Sequence, residues 1–298
     1  MATDGARLDW DRDGADWPHR ACSQFVTAGG LRWHVQRAGE GPLLLLLHGT
    51  GASSHTWRDL LPRLAAHYAV LNVDLPGHGF SAPLPRADMT LAGMTRALGE
   101  LLALLGVKVD AVLGHSAGAA IAAQACLEGR IAPKLLISLN GALLAPRGMP
   151  VGLMSTAARA MAVSGLVPRL FVWSAGDPAA VRRLVASTGS TLDSRGYELY
   201  LRLIRNTAHV TSVLDMLAGW DLTELARRLP KLEVPLALVV GDRDRAVPPA
   251  EAQRVRSMLP RSRVVVVRNL GHLMHEEDPP QVAALVEELL ADAGVLPA

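Results

Sequence analysis

Apolar positions along this chain fall into two alternating patterns, short unbroken runs and longer stretches with helical spacing. Residues 43–47 are wholly aliphatic, and residues 69–74, 109–113, 134–139, 235–240 and 263–267 have a similar length and apolar character. Such runs predict strands buried on both faces, as in a parallel sheet covered by helices. Residues 57–66, 91–105, 119–127, 250–258 and 280–291 supply the intervening helices. Near the start, residues 24–28 and 31–36 flank Gly29-Gly30, a two-residue hairpin signature, so the sheet should open with an antiparallel pair.

Strand character lapses between residues 139 and 235. There, residues 153–163, 179–186, 197–204 and 210–217 read as helices separated by Gly, Pro and Asp breaks. The pattern predicts an α/β protein with an N-terminal arm (1–21), a core in two parts (22–140 and 221–298) and an inserted helical cap (141–220).

Composition narrows the functional classes. With 298 residues, 50% of them hydrophobic and 19% charged, the chain suits one large domain with an insertion and lacks the signature of disorder. A formal net charge of +2 with scattered arginines excludes the basic stripe of a nucleic-acid binder. Cys22 and Cys126 offer neither a disulfide framework nor metal spacing, and Asp4, Asp9, Asp11, Asp13 and Asp16 crowd the segment where an export signal would need an apolar core. No aliphatic run approaches bilayer length. These features predict a cytoplasmic protein without an integral membrane segment.

Candidate chemistry sits at strand ends. Gly114-His115-Ser116-Ala117-Gly118 joins a strand-like run to a helix-like run, the context of a nucleophile elbow in which small residues permit a tight turn that lifts the serine hydroxyl above the sheet. His48-Gly49-Thr50-Gly51 follows the 43–47 run, where backbone amides of Thr50 and Ala117 would face a developing oxyanion. Asp244, beyond the 235–240 run, is favoured over Asp242 as the acid that orients a histidine, and His272, after the 263–267 run, is the candidate base. The order Ser116, Asp244, His272 is the one this type of sheet requires. His272-x-x-His275-Glu276-Glu277 reads as a helix start at the surface, not a metal cluster, and His34 and His55 read as solvated or structural. Neither metal nor cofactor is expected.

With Asp74-Leu75-Pro76-Gly77-His78-Gly79-Phe80-Ser81 added to these motifs, the chain resembles the α/β-hydrolase fold family from about residue 22 to 292. A serine at the elbow, where epoxide hydrolases and haloalkane dehalogenases carry aspartate, implies esterase-like acyl chemistry. A narrower likeness rests on Asp16-Trp17-Pro18-His19-Arg20, residues 29–36 (GGLRWHVQ), residues 114–120 (GHSAGAA) and residues 166–171 (LVPRLF). On these the chain is similar to the magnesium-chelatase accessory hydrolases of bacteriochlorophyll biosynthesis. That likeness implies a photosynthetic bacterium, a tetrapyrrole among the candidate small-molecule substrates, and chelatase subunits as candidate partners. The absence of a G-x-x-x-x-G-K-[ST] loop excludes the ATP-driven motor subunit itself.

Two functions follow: a serine hydrolase, whether tied to the chelatase or a general carboxylic-ester hydrolase, or a non-catalytic porphyrin-binding or delivery factor. For the latter, the cap is rich in arginine (Arg147, Arg159, Arg169, Arg182, Arg183, Arg195, Arg202 and Arg205), suited to propionates, and Trp57, Met154, Met161, Phe171 and Trp173 are candidate walls for a planar ring.

Overall fold

The leucine run 43–47 is a strand because both of its faces find cover. Leu45 and Leu47 join one apolar cluster, with Met94, Leu98 and Ile121, whereas Leu44 and Leu46 join another, with Leu61, Val282 and Val286. The computed structural model describes residues 7–145 and 177–296. The described residues form eight strands, β1 (Ser23–Ala28), β2 (Leu31–Ala38), β3 (Leu43–Leu47), β4 (Ala69–Val73), β5 (Ala111–His115), β6 (Leu135–Leu139), β7 (Leu236–Gly241) and β8 (Arg263–Val267). They form one sheet in the order β1-β2-β4-β3-β5-β6-β7-β8.

The β1–β2 and β2–β4 pairs are antiparallel and the other pairs parallel. Gly29 and Gly30, at φ 58° and 74°, make the hairpin turn that only a residue tolerant of positive φ makes cheaply. From β3 the chain steps outward to β4 and then returns to pair β5 on the other side of β3. That reversal opens a crevice at the carboxyl ends of β3 and β5, where α/β sheets place ligands.

The helix Leu91–Leu105 starts where the Thr90 side chain accepts the Gly93 N–H at 3.1 Å, and it stops at Gly106 in the left-handed region. The helix expected over 57–66 is instead a 3₁₀ turn, Ser54–Trp57, and a single α-turn, Leu61–Leu64. Asp74 takes the Ser54 N–H at 2.6 Å and starts the first turn, while Pro62 has no N–H with which to continue a ladder and the Arg58 carbonyl is taken by His19 at 2.6 Å, so the segment is split. Trp57 is fully buried beneath the sheet in the second cluster and is not a cavity wall.

Between β6 and β7 lie the helices Pro178–Ser187, Ser194–Ile204 and Thr207–Gly219, started by Asp177, Asp193 and Asn206 side chains. The expected helix 153–163, the segment 166–171, and Arg147, Arg159, Arg169, Met154, Met161, Phe171 and Trp173 lie outside the described residues.

The N-terminal segment is built into the body of the protein. Trp17 is 2% exposed, packs edge-on to Phe80 with ring centroids 4.9 Å apart beside Leu199 and Leu203, and donates its indole N–H to Ser54 Oγ at 3.2 Å. Asp16 receives Arg202 at 2.7 and 3.0 Å and Arg195 at 2.9 Å. These two arginines of the helix Ser194–Ile204 therefore face the arm rather than the cavity, and Arg182 stacks over Tyr197. Replacing Trp17 by alanine should cost about 3–5 kcal/mol in urea unfolding, as for other buried aromatics. A loss under about 1 kcal/mol would mean that the arm is not part of the core.

Candidate functional site

The elbow is set by two glycines with no room for a side chain. A Cβ on Gly114 would lie 2.5 Å from the Ala119 Cα, and one on Gly118 would lie 2.2 Å from the Leu47 carbonyl oxygen. Larger residues at either position would force the helix Ala117–Leu127 away from the sheet. Between them Ser116 holds φ 51°, ψ −117°, a strained conformation for a residue with a Cβ, and it is half-buried. Such strain is tolerated where the surroundings over-determine it. Here the Ser116 N–H donates to Leu139 O at 3.1 Å, and its carbonyl accepts from Ala119 and Ala142.

Ser116, His272, Thr50 and His115 line one cavity of about 340 Å³. Most of the remaining wall is aliphatic: Val181, Leu184 and Val185 come from one of the overlying helices, and Val210, Val213 and Leu217 from another. Tyr200 and His209 add polar atoms.

Asp244 lies behind His272, with Oδ2 at 2.8 Å from Nδ1. Its other oxygen accepts the N–H groups of Ala246 and Val247 at 2.8 and 2.9 Å, so the carboxylate is fixed before any substrate arrives. Asp242, the rival, accepts the Asn269 N–H at 2.7 Å and shapes the turn between the two loops. With Nδ1 held by Asp244, Nε2 is the ring's remaining acceptor.

The loop around His272 is clamped from four sides. His115 Nε2 and Asn140 Nδ2 both donate to the His272 carbonyl at 2.9 Å, Glu277 accepts the Gly271 N–H at 2.9 Å, and Ser190 Oγ accepts the Leu273 N–H at 2.8 Å. Asn140 also accepts the Gly241 N–H at 2.9 Å, joining the ends of β6 and β7 to the same loop. Asn140, at φ 47°, and the His115 ring hold the His272 loop in a way that the sequence did not reveal. His115 stood inside the elbow motif, but which of its ring nitrogens meets a loop 157 positions away is a tertiary fact.

The Thr50 loop is positioned by His48. Its Nδ1 donates to Gly49 O at 2.8 Å and its Nε2 accepts the Leu75 N–H at 2.9 Å, which fixes one neutral tautomer. Thr50 Oγ1 reaches Met216 Sδ at 3.9 Å. As the first residue of its helix, Ala117 has an N–H with no acceptor one turn back, and among the described residues neither it nor the Thr50 N–H donates to another protein group. Ala117 itself is 2% exposed and contributes no wall to the cavity.

Residues 44–285 match the model of the alpha/beta hydrolase family. The chain belongs to that family. It is 36% identical over 266 residues to the magnesium-chelatase 30 kDa subunit of Rhodobacter capsulatus, covering 88% of this chain and 92% of the relative. It is also 29% identical over 281 residues to a pimeloyl-[acyl-carrier protein] methyl ester esterase of Xanthomonas oryzae, covering 87% and 98%. Among solved structures, an alpha/beta hydrolase fold protein from Burkholderia ambifaria superposes with a TM-score of 0.75 at 24% identity, over 95% of this chain and 99% of the other, a likeness of fold.

The surface reading of His275 and Glu276 is corrected. His275 is fully buried, its Nε2 2.7 Å from Thr56 Oγ1, and the Glu276 carboxylate is enclosed by Arg58, Thr56 and Tyr200. A carboxylate with a cation and two hydroxyl donors can remain inside, whereas a bare one could not. Even so, burial pushes its pKa up against the opposing pull of Arg58. His34 and His55 are likewise buried and structural, His34 holding Asp74 Oδ2 at 2.8 Å. Among the described residues no cluster of His, Cys, Asp or Glu could hold a metal ion, and no helix is long and apolar enough to cross a membrane.

Burial pulls the pKa values of His48, His55, His78, His115, His209 and His275 below the ordinary histidine value, to about 3 for His209 and His275. Because these groups bind protons more weakly folded than unfolded, their contribution is complete above about pH 6.5 and is lost as pH falls toward the folded values. Denaturant-measured stability should therefore fall steeply between about pH 6.5 and 4, with several protons taken up on unfolding. A flat profile across that range would contradict the burial of these rings.

Proposed function

We propose that this chain is a serine hydrolase of carboxylic esters, with Ser116 as nucleophile, His272 as base and acid, and Asp244 as the residue that orients the imidazole. The observation that carries this reading is the 2.8 Å Asp244–His272 hydrogen bond behind a cavity onto which the strained Ser116 opens. In this mechanism Ser116 Oγ attacks the ester carbonyl while its proton passes to His272 Nε2. The oxyanion rests on the amide N–H groups of Thr50 and Ala117. Collapse breaks the bond to the alcohol, which leaves with the proton from His272. Water then attacks the acyl-enzyme, gives a proton to His272, and the acid departs as that proton returns to Ser116.

The division into an arm (1–21), a core (22–140 and 221–298) and a cap (141–220) belongs to the same reading, with the described cap helices Pro178–Ser187 and Thr207–Gly219 lining the cavity for the substrate. Similarity to the Rhodobacter capsulatus subunit supports a place for the protein beside a magnesium chelatase, where the ester would be a small molecule met by that enzyme, a tetrapyrrole included. The methyl ester esterase relative supports acyl chemistry at the same site.

A fluorophosphonate probe should label the wild-type protein at Ser116, and Ser116→Ala should abolish labelling. Asp244→Asn should keep the fold and lower kcat on a p-nitrophenyl ester by about 10⁴-fold, the loss expected when the imidazole is held in the wrong tautomer. Absence of labelling in folded wild type would overturn the hydrolase. If Ser116→Ala fully restored tetrapyrrole synthesis in a strain lacking this protein, binding or delivery would be the function instead.

A further inference from the structure

The turn Gly49–Ala52 presents the Thr50 amide, yet its own sequence does little to hold it. The Ala52 N–H returns to Gly49 O at 3.2 Å, and His48 grips the Gly49 carbonyl from the side of β3. Gly51, at φ 77°, has no heavy atom other than those of its own chain neighbours within 4 Å of the position a Cβ would take. A glycine in so open a setting has no side chain to pack and is free to rotate its peptides.

The missing restraint comes from the far side of the cavity. His209, on the helix Thr207–Gly219, is 2% exposed and sits with Nε2 3.3 Å from the Gly51 carbonyl and Nδ1 3.3 Å from the Gly79 nitrogen. The Gly79 N–H can only donate, so Nδ1 must accept, and the ring proton is therefore on Nε2, pointing at Gly51 O. Protonating Nδ1 as well would set two N–H groups against each other, in keeping with a pKa pulled down by burial to about 3. His78 lies edge-on to the ring at 5.4 Å and restricts its rotation.

We propose that His209 is a positioning residue for the oxyanion site: its Nε2–H holds the Gly51 carbonyl and so keeps the Thr50 amide aimed at the reacting carbonyl. This rests on the hydrolase reading above. It also ties formation of the oxyanion site to docking of the helix Thr207–Gly219, since without that helix the turn loses its outer restraint.

The test compares His209→Leu, which removes both ring nitrogens at similar bulk, with His209→Gln, whose amide can still donate to Gly51 O. On p-nitrophenyl butyrate, His209→Leu should lower kcat about 10- to 100-fold with KM changed less than about twofold, since a displaced oxyanion donor is felt in the transition state. Its affinity for a boronic acid, which forms a tetrahedral adduct on serine, should weaken by a similar factor, and His209→Gln should recover most of both losses. Amide hydrogen exchange at residues 49–52 should accelerate in His209→Leu while the strands stay protected.

A rise in KM alone, a glutamine variant no better than leucine, or unchanged exchange at the turn would each overturn the assignment. A wild-type protein that neither turns over the ester nor reacts with fluorophosphonate would overturn the hydrolase reading instead, and exchange at the turn would still decide whether His209 holds it.

Discussion

The close approach of the elbow helix to β3 is the constraint on which the rest of the site depends. Gly118 lies against the carbonyl of Leu47 so tightly that a single added carbon would collide with it. That contact draws the N-terminus of the helix into the crevice between β3 and β5, forces Ser116 into a positive φ, and sets it beside the loop that leaves β3. Relaxing it would move Ser116 and the Thr50 loop apart together, because both hang from the same two strands.

Neutral imidazoles hold the loops around this point. His48 and His209 each use one ring nitrogen as donor and the other as acceptor, joining the loop that leaves β3 to the loop that leaves β4. His115 works with one nitrogen only, on the His272 carbonyl, and its Nδ1 and that of His275 are buried without a partner among the described residues. Burial of an unsatisfied nitrogen costs free energy, on the order of 1–3 kcal/mol. The fold tolerates that cost where the His115 ring packs at a tilt against both His272 and His275, with centroids 4.7 and 4.6 Å away, and fills the space beside the site.

Helices over the cavity are joined to the sheet by charge as well as by apolar contact. Arg58 is nearly buried and meets Glu276, Asp193 and Asp59, so one guanidinium connects the chain just after His272 with the start of the helix Ser194–Ile204. Buried pairs of this kind gain little net stability over well-packed apolar groups, but breaking one side is costly. The pairing therefore fixes where the helix sits more than how stable the protein is. Asp16 and Trp17 act on the same helix from the opposite side, which makes the N-terminal segment part of the wall that carries Tyr200 and Ile204 into the cavity.

The sequence by itself determined the strands of the sheet, the tight turn at Gly114–Gly118 and the order of the candidate site residues, because these are written in local signals: five-residue aliphatic runs, paired glycines, and loop residues just beyond a strand. The runs at 43–47 and 263–267 and the helices at 91–105 and 250–258 match the observed elements end to end. It misjudged residues 57–66, where Pro62 has no N–H and His19 takes the Arg58 carbonyl, so that no continuous helical ladder forms, and His275 and Glu276, whose polarity suggested a surface although Arg58 and Thr56 cover them. Only the tertiary structure decided which of Asp242 and Asp244 meets the imidazole, which ring nitrogens clamp which loops, and that Arg195 and Arg202 turn toward Asp16. Each of those outcomes depends on partners tens or hundreds of residues away, whose distances are set by packing of the whole sheet and are encoded in no local pattern.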